Sequence, residues 1–148
     1  MTKNERLSEF ILGRISVPLV WGKTDCCMFV ADAMKAMHGF DGAGWFRGKY
    51  RTRRKAFVEL KKFAGGSVRE AITAIATAYD MTYIPTGDNL LPGDVVVFKA
   101  KACDPIAERL SNGMTVGVVG FHNYGVISQG KDELVLNTKP NVVDVWRK

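Results

Sequence analysis

The sequence predicts an α+β fold, with helices from the first half of the chain packed on an antiparallel sheet of about five strands from the second. Three observations predict it. Apolar residues recur at helical spacing as far as Tyr79, the period then shifts to short β-branched runs, and Gly- and Asp-containing turns separate those runs.

Leu7, Phe10, Ile11 and Ile15 form the apolar stripe of a first short helix, which Val17-Pro18 ends. An extended entry then leads to Trp21-Gly22. Cys26, Phe29, Val30, Ala33, Met34 and Met37 form the stripe of a second helix, with Thr24 or Asp25 as N-cap and Gly39 as stop. Residues 39 to 53 are a Gly-rich loop of basic and aromatic residues. Phe57, Leu60 and Phe63 mark a third helix that stops at Gly65-Gly66, and Ser67-Val-Arg-Glu70 is a capping box opening a fourth.

Beyond Tyr79, Pro92-Gly93-Asp94 is a turn into the strand Val95–Phe98. Thr115–Val119 and Phe121–Ser128 follow as strands. Gln129–Asp132 turns the chain into Glu133–Lys139, and Val142–Trp146 closes the sheet. Residues 103 to 112 fit a loop with one helical turn.

A chain of 148 residues, 47% hydrophobic and 24% charged, is one globular domain able to bury its own core. Its apolar runs are too short to span a bilayer, and its first residues lack a signal-peptide core, so synthesis in a cytoplasm is expected. Three cysteines without CxxC spacing, with only His38 and His122 beside them, support neither a disulfide framework nor a metal site, and no cofactor is expected. The net charge of +6 permits an anionic partner without choosing one. The basic stretch at 47–55 carries no recognised nucleic-acid motif, so a nucleic-acid partner is not expected.

Cys26 stands out chemically. At a helix start, unpaired backbone N–H groups and the helix dipole favour thiolate over thiol, and the thiolate is the nucleophile. The plainer alternative is a small buried hydrophobe. Asp25 fits an N-cap better than a chemical role, because its charge would oppose ionisation of the thiol. His38 lies about 18 Å along the helix from Cys26, too far to act as its base, and fits a C-terminal cap.

Pro18-Leu-Val-Trp21-Gly22, Asp25-Cys26-x-x-Phe29-Val30 and Gly93-Asp94-Val-Val-Val-Phe98 occur in the order of the NlpC/p60 cell-wall peptidase pattern, which the chain resembles. With a helical insertion at about 40–90, and with Phe46-Arg-Gly-Lys-Tyr50-Arg51 and Val145-Trp146-Arg147, it is similar to compact NlpC/p60-related proteins encoded among bacteriophage tail genes. The resemblance implies a papain-like fold over residues 1–148 and a cysteine nucleophile, Cys26. A histidine base on a sheet strand and a polar residue orienting it would complete the site. It also implies tail-tip or tail-assembly partners, a place in the virion tail, and peptidoglycan stem peptides as substrate. The base position has two matches. One alignment puts Thr115 there, which cannot take a proton from the thiol. The other puts His122 there, with Asn137 on the partner strand to orient it. The first describes a structural tail subunit that has lost its chemistry; the second describes a peptidase.

Overall fold

Each predicted helix is set by side-chain caps in the computed structural model, which describes residues 1–85, 89–100, 109–121 and 125–148. Thr2 opens α1 (Lys3–Arg14) with a reciprocal capping box to Glu5, at 3.1 and 3.2 Å. Asp25 caps α2 (Cys26–His38), and Thr52 caps α3 (Arg53–Ala64). Ser67 opens α4 (Val68–Ala78) by accepting the Glu70 N–H at 2.9 Å. Gly39 and Gly65 end α2 and α3 in the left-handed region, at φ 83° and 86°, where a side chain is disfavoured.

The sheet has six strands: β1 (Thr82–Ile84), β2 (Val95–Lys99), β3 (Met114–Val119), β4 (Val126–Gln129), β5 (Leu134–Asn137) and β6 (Asn141–Arg147). The spatial order is β1-β6-β2-β3-β4-β5, and every pair is antiparallel. Two expectations need correction. The sheet has one strand more than five, because three-residue β1 carries no alternation of its own and exists through pairing with distant β6. Nor does the last strand close an edge: β2 to β5 form a meander, and β6 returns between β1 and β2. Of the strand expected at 121–128, β4 covers Val126–Gln129, and residues 122–124 lie outside the described residues.

The two motifs quoted for the second half of the chain turn out to be one contact. Arg147 on β6 grips buried Asp94 with two bonds of 2.8 Å, while Asp94 also accepts the Leu91 N–H at 2.9 Å. Gly93 is required beside it: at φ 92°, a Cβ there would run into the Met37 methyl group.

Apolar burial then fixes α2. Phe29, Val30, Ala33 and Met34 pack with α4 and the sheet residues Val97, Val116 and Val118. Met28 and Ala31, on another side of the helix, are covered by Ala43, Phe46 and Tyr50 of the loop that follows it. The opposite sheet face buries Val96, Phe98, Val119, Val126 and Val145. No helix among the described residues is long and apolar enough to cross a membrane.

Candidate active site

The position of Cys26 begins with Asp25. The carboxylate is 2% exposed and has no solvent to satisfy it. It accepts the Met28 N–H at 3.0 Å, the Gly22 N–H at 2.8 Å and the Tyr50 hydroxyl at 2.7 Å. One side chain thus ties the helix start, the Trp-Gly loop and the loop before α3. Gly22, at φ 83°, leaves no room for a side chain against the Tyr50 carbonyl. Burial first, and then the Asp25 charge, push the Tyr50 hydroxyl above its ordinary range, so it stays protonated and donates.

The same loop is held from its other side. Arg47 pairs with Asp41 at 2.7 Å and with Asp32, while Arg14 meets Asp32 at 2.9 Å. The hydrogen bond from Arg47 holds the Asp41 carboxyl below the usual range. Arg47 therefore serves α2 and its loop rather than the open basic stretch in which the sequence places it.

Cys26 and Cys27 are both free and partly exposed. The Cys26 thiol is drawn below its ordinary range chiefly by a hydrogen bond from Cys27; burial and the Asp25 charge oppose this, and a bond from the Thr115 hydroxyl assists. Cys27 moves the other way, well above its usual range, because it donates to Cys26 and is itself desolvated. The pair thus divides into a sulfur that accepts and a sulfur that keeps its proton.

Of the two residues that match the base position, Thr115 meets Cys26. It stands near the start of β3, opposite Phe98 on β2. His122 lies outside the described residues. Gly120, two residues before it, donates to the Gly125 carbonyl at 2.9 Å.

Asn137 pairs with Val126 across β4 and β5. Its amide donates to the Val126 carbonyl at 2.9 Å and the Ser128 hydroxyl at 3.1 Å, so its donors are engaged within the sheet. β3 and β4 pair at only two positions, Val118↔Ile127 and Val119↔Val126. Toward the other end of these strands lies a cavity of about 330 Å³, whose lining includes Trp21, Cys26, Thr115, Ser128, Gln129 and Asn137. Gln129 fixes one wall by donating to the Val17 and Gly130 carbonyls at 2.8 and 2.9 Å, and its Oε1 is buried without a hydrogen-bond donor. Cys26 can act chemically here as a thiol whose acidity is raised at a helix N-terminus, with hydroxyl and amide groups around it.

Sequence reasoning missed Tyr50, Cys27 and Gln129. Tyr50 was visible as a motif aromatic, but nothing local announces that its hydroxyl reaches Asp25. Cys27 lies off the apolar stripe of α2, yet adjacency to Cys26 is what makes it a donor. His38 does not cap α2: the Gly39 N–H takes the Lys35 carbonyl at 2.9 Å, and the imidazole stacks on Phe40. Among the described residues, no cluster of His, Cys, Asp or Glu could hold a metal ion.

These features define an α+β protein with a capped helix-start cysteine facing a cleft beside an antiparallel sheet. The chain belongs to the family described as a domain of unknown function, DUF6950, whose model matches residues 2–148. No curated protein matches it.

Proposed function

We propose that the chain is a tail-tip or tail-assembly subunit of a bacteriophage or phage-like particle, with a papain-like fold of NlpC/p60 type whose hydrolytic chemistry is lost. One observation carries this reading: of the two matches to the base position, the Thr115 hydroxyl is the one seen to bond the Cys26 sulfur. A threonine hydroxyl donates to a thiolate but takes no proton from a thiol at neutral pH, so the nucleophile has no base in that slot. The tail assignment rests on the motif resemblance.

The test is direct. Purified protein, kept reduced, is incubated with peptidoglycan stem-peptide fragments, and particles carrying Cys26→Ala are scored for assembly and infection. Uncut peptides and normal particles are expected. Cleavage that disappears in Cys26→Ala overturns the proposal.

A second reading, a peptidoglycan stem-peptide endopeptidase using Cys26, His122 and Asn137, is favoured by the depressed pKa of Cys26 and the cavity beside it. It requires cleavage that is lost in both Cys26→Ala and His122→Ala.

A further inference from the structure

The charge of this protein is not spread over it. Residues 49 to 62 hold seven cations, Lys49, Arg51, Arg53, Arg54, Lys55, Lys61 and Lys62, against the single acid Glu59. That surplus of six equals the whole net charge of +6, so the other residues balance, with fourteen basic and fourteen acidic side chains.

α3 arranges this charge around one apolar residue. Val58 is 39% exposed. Its helical neighbours at three and four residues on either side are Arg54, Lys55, Lys61 and Lys62, all exposed. Among the described residues, Glu59 is the carboxylate paired with this face, at 3.7 Å from Lys55 and 3.6 Å from Lys62. The ring covers about 12 Å of helix. Just beyond it, Trp45 is 62% exposed and leans on Phe63 of the same helix, with ring centroids 5.3 Å apart.

This arrangement works against the isolated helix. Arg54 and Lys55 stand in the first turn, which contains no acidic residue of the helix, and the positive end of the helix dipole disfavours cations there. Clustered cations also repel one another. An anionic partner relieves both penalties.

We infer that this face of α3 docks an acidic amphipathic helix of another protein. An apolar side chain of the partner covers Val58, and carboxylates three and four residues to either side meet Arg54, Lys55, Lys61 and Lys62. A phosphate backbone matches the cations but offers nothing apolar to Val58, whereas an apolar centre with a charged rim is the ordinary layout of a protein interface. A second copy of this chain lacks the complement, since no described helix carries more than two acids. The inference is independent of the chemistry of Cys26.

The full chain is titrated, by fluorescence anisotropy, against a labelled helix-stabilised peptide with a central Leu and Glu three and four residues to either side. Saturable binding that weakens with salt is expected, and a Gln-for-Glu peptide binds at least about tenfold more weakly. The variant R54E/K55E/K61E/K62E, with its fold checked by thermal melting, loses the acidic peptide by a similar factor and gains a peptide with Lys in place of Glu. Lys139→Glu, an exposed change far along the sequence, leaves binding unaltered. Equal affinity for the Glu and Gln peptides, or failure of the charge-swapped pair to bind, overturns the inference. So does tighter binding of a single- or double-stranded DNA oligonucleotide than of the acidic peptide, which makes the face a nucleic-acid surface.

Discussion

α2 and α3 are similar as helices and opposite as surfaces. Each runs from a side-chain N-cap to a left-handed glycine, over 13 and 12 residues. α2 buries seven side chains, between the sheet on one side and the loop from Ala43 to Tyr50 on another. α3 buries Leu60 alone and turns cations outward. The same local grammar therefore serves two ends. Burial on several sides fixes the start of α2 closely enough to hold a thiol against a strand, whereas α3 displays charge and needs only one anchored edge.

The caps expose this contrast most strongly. Asp25→Ala leaves the Gly22 and Met28 N–H groups and the Tyr50 hydroxyl without their acceptor in a buried place. A loss of about 3–5 kcal/mol is expected in urea denaturation. Thr52→Ala at α3 removes one acceptor near solvent, for Lys55, and should cost about 1 kcal/mol. Equal losses would remove the distinction between a cap that organises three segments and one that only starts a helix.

Most of α2 was legible from its residues. The stripe from Cys26 to Met37, the cap and the glycine stop are local signals, and local signals survive folding when tertiary contacts agree with them. β1 was not legible, because Thr82-Tyr-Ile84 becomes a strand only by pairing with β6, some sixty residues away. The central place of β6 was hidden for the same reason: strand order depends on chain return, not on local pattern. In the candidate site, Cys26 and the cap were readable, and Thr115 was one of two matches to the base position. The roles of Cys27, Tyr50 and Gln129 arise from hydrogen bonds that no spacing encodes. The basic stretch misled in one respect: Arg47 belongs to the carboxylates of α2 and its loop, while the outward charge begins later.

Thiol reactivity sharpens the α2 side. In the folded protein Cys26 should be alkylated by iodoacetamide before Cys27, with a pH profile lying below that of an ordinary cysteine. The sign follows from the bonding: donors to the sulfur favour thiolate, so the reactive form appears at lower pH. Cys27→Ala removes the largest of these donors and should move the profile upward. Thr115→Val should move it in the same direction by less, since its bond contributes less. Mass spectrometry of the modified peptides separates the two sulfurs. A profile unmoved by Cys27→Ala would show that the helix start alone sets the acidity.

The smallest effect tests the α3 side. Arg54 and Lys55 stand in the first turn of a helix that has no acid there, against the helix dipole. Arg54→Glu should therefore raise stability slightly, by about 0.5 kcal/mol at low salt, and the gain should shrink as salt is added. Such a gain matters for its direction. Cations that oppose the fold they belong to do not serve stability, so a more stable Arg54→Glu protein that has lost its acidic partner separates folding from binding at that residue. A variant that is less stable would instead make Arg54 a structural residue of α3, and the contrast between the two helices would narrow to burial alone.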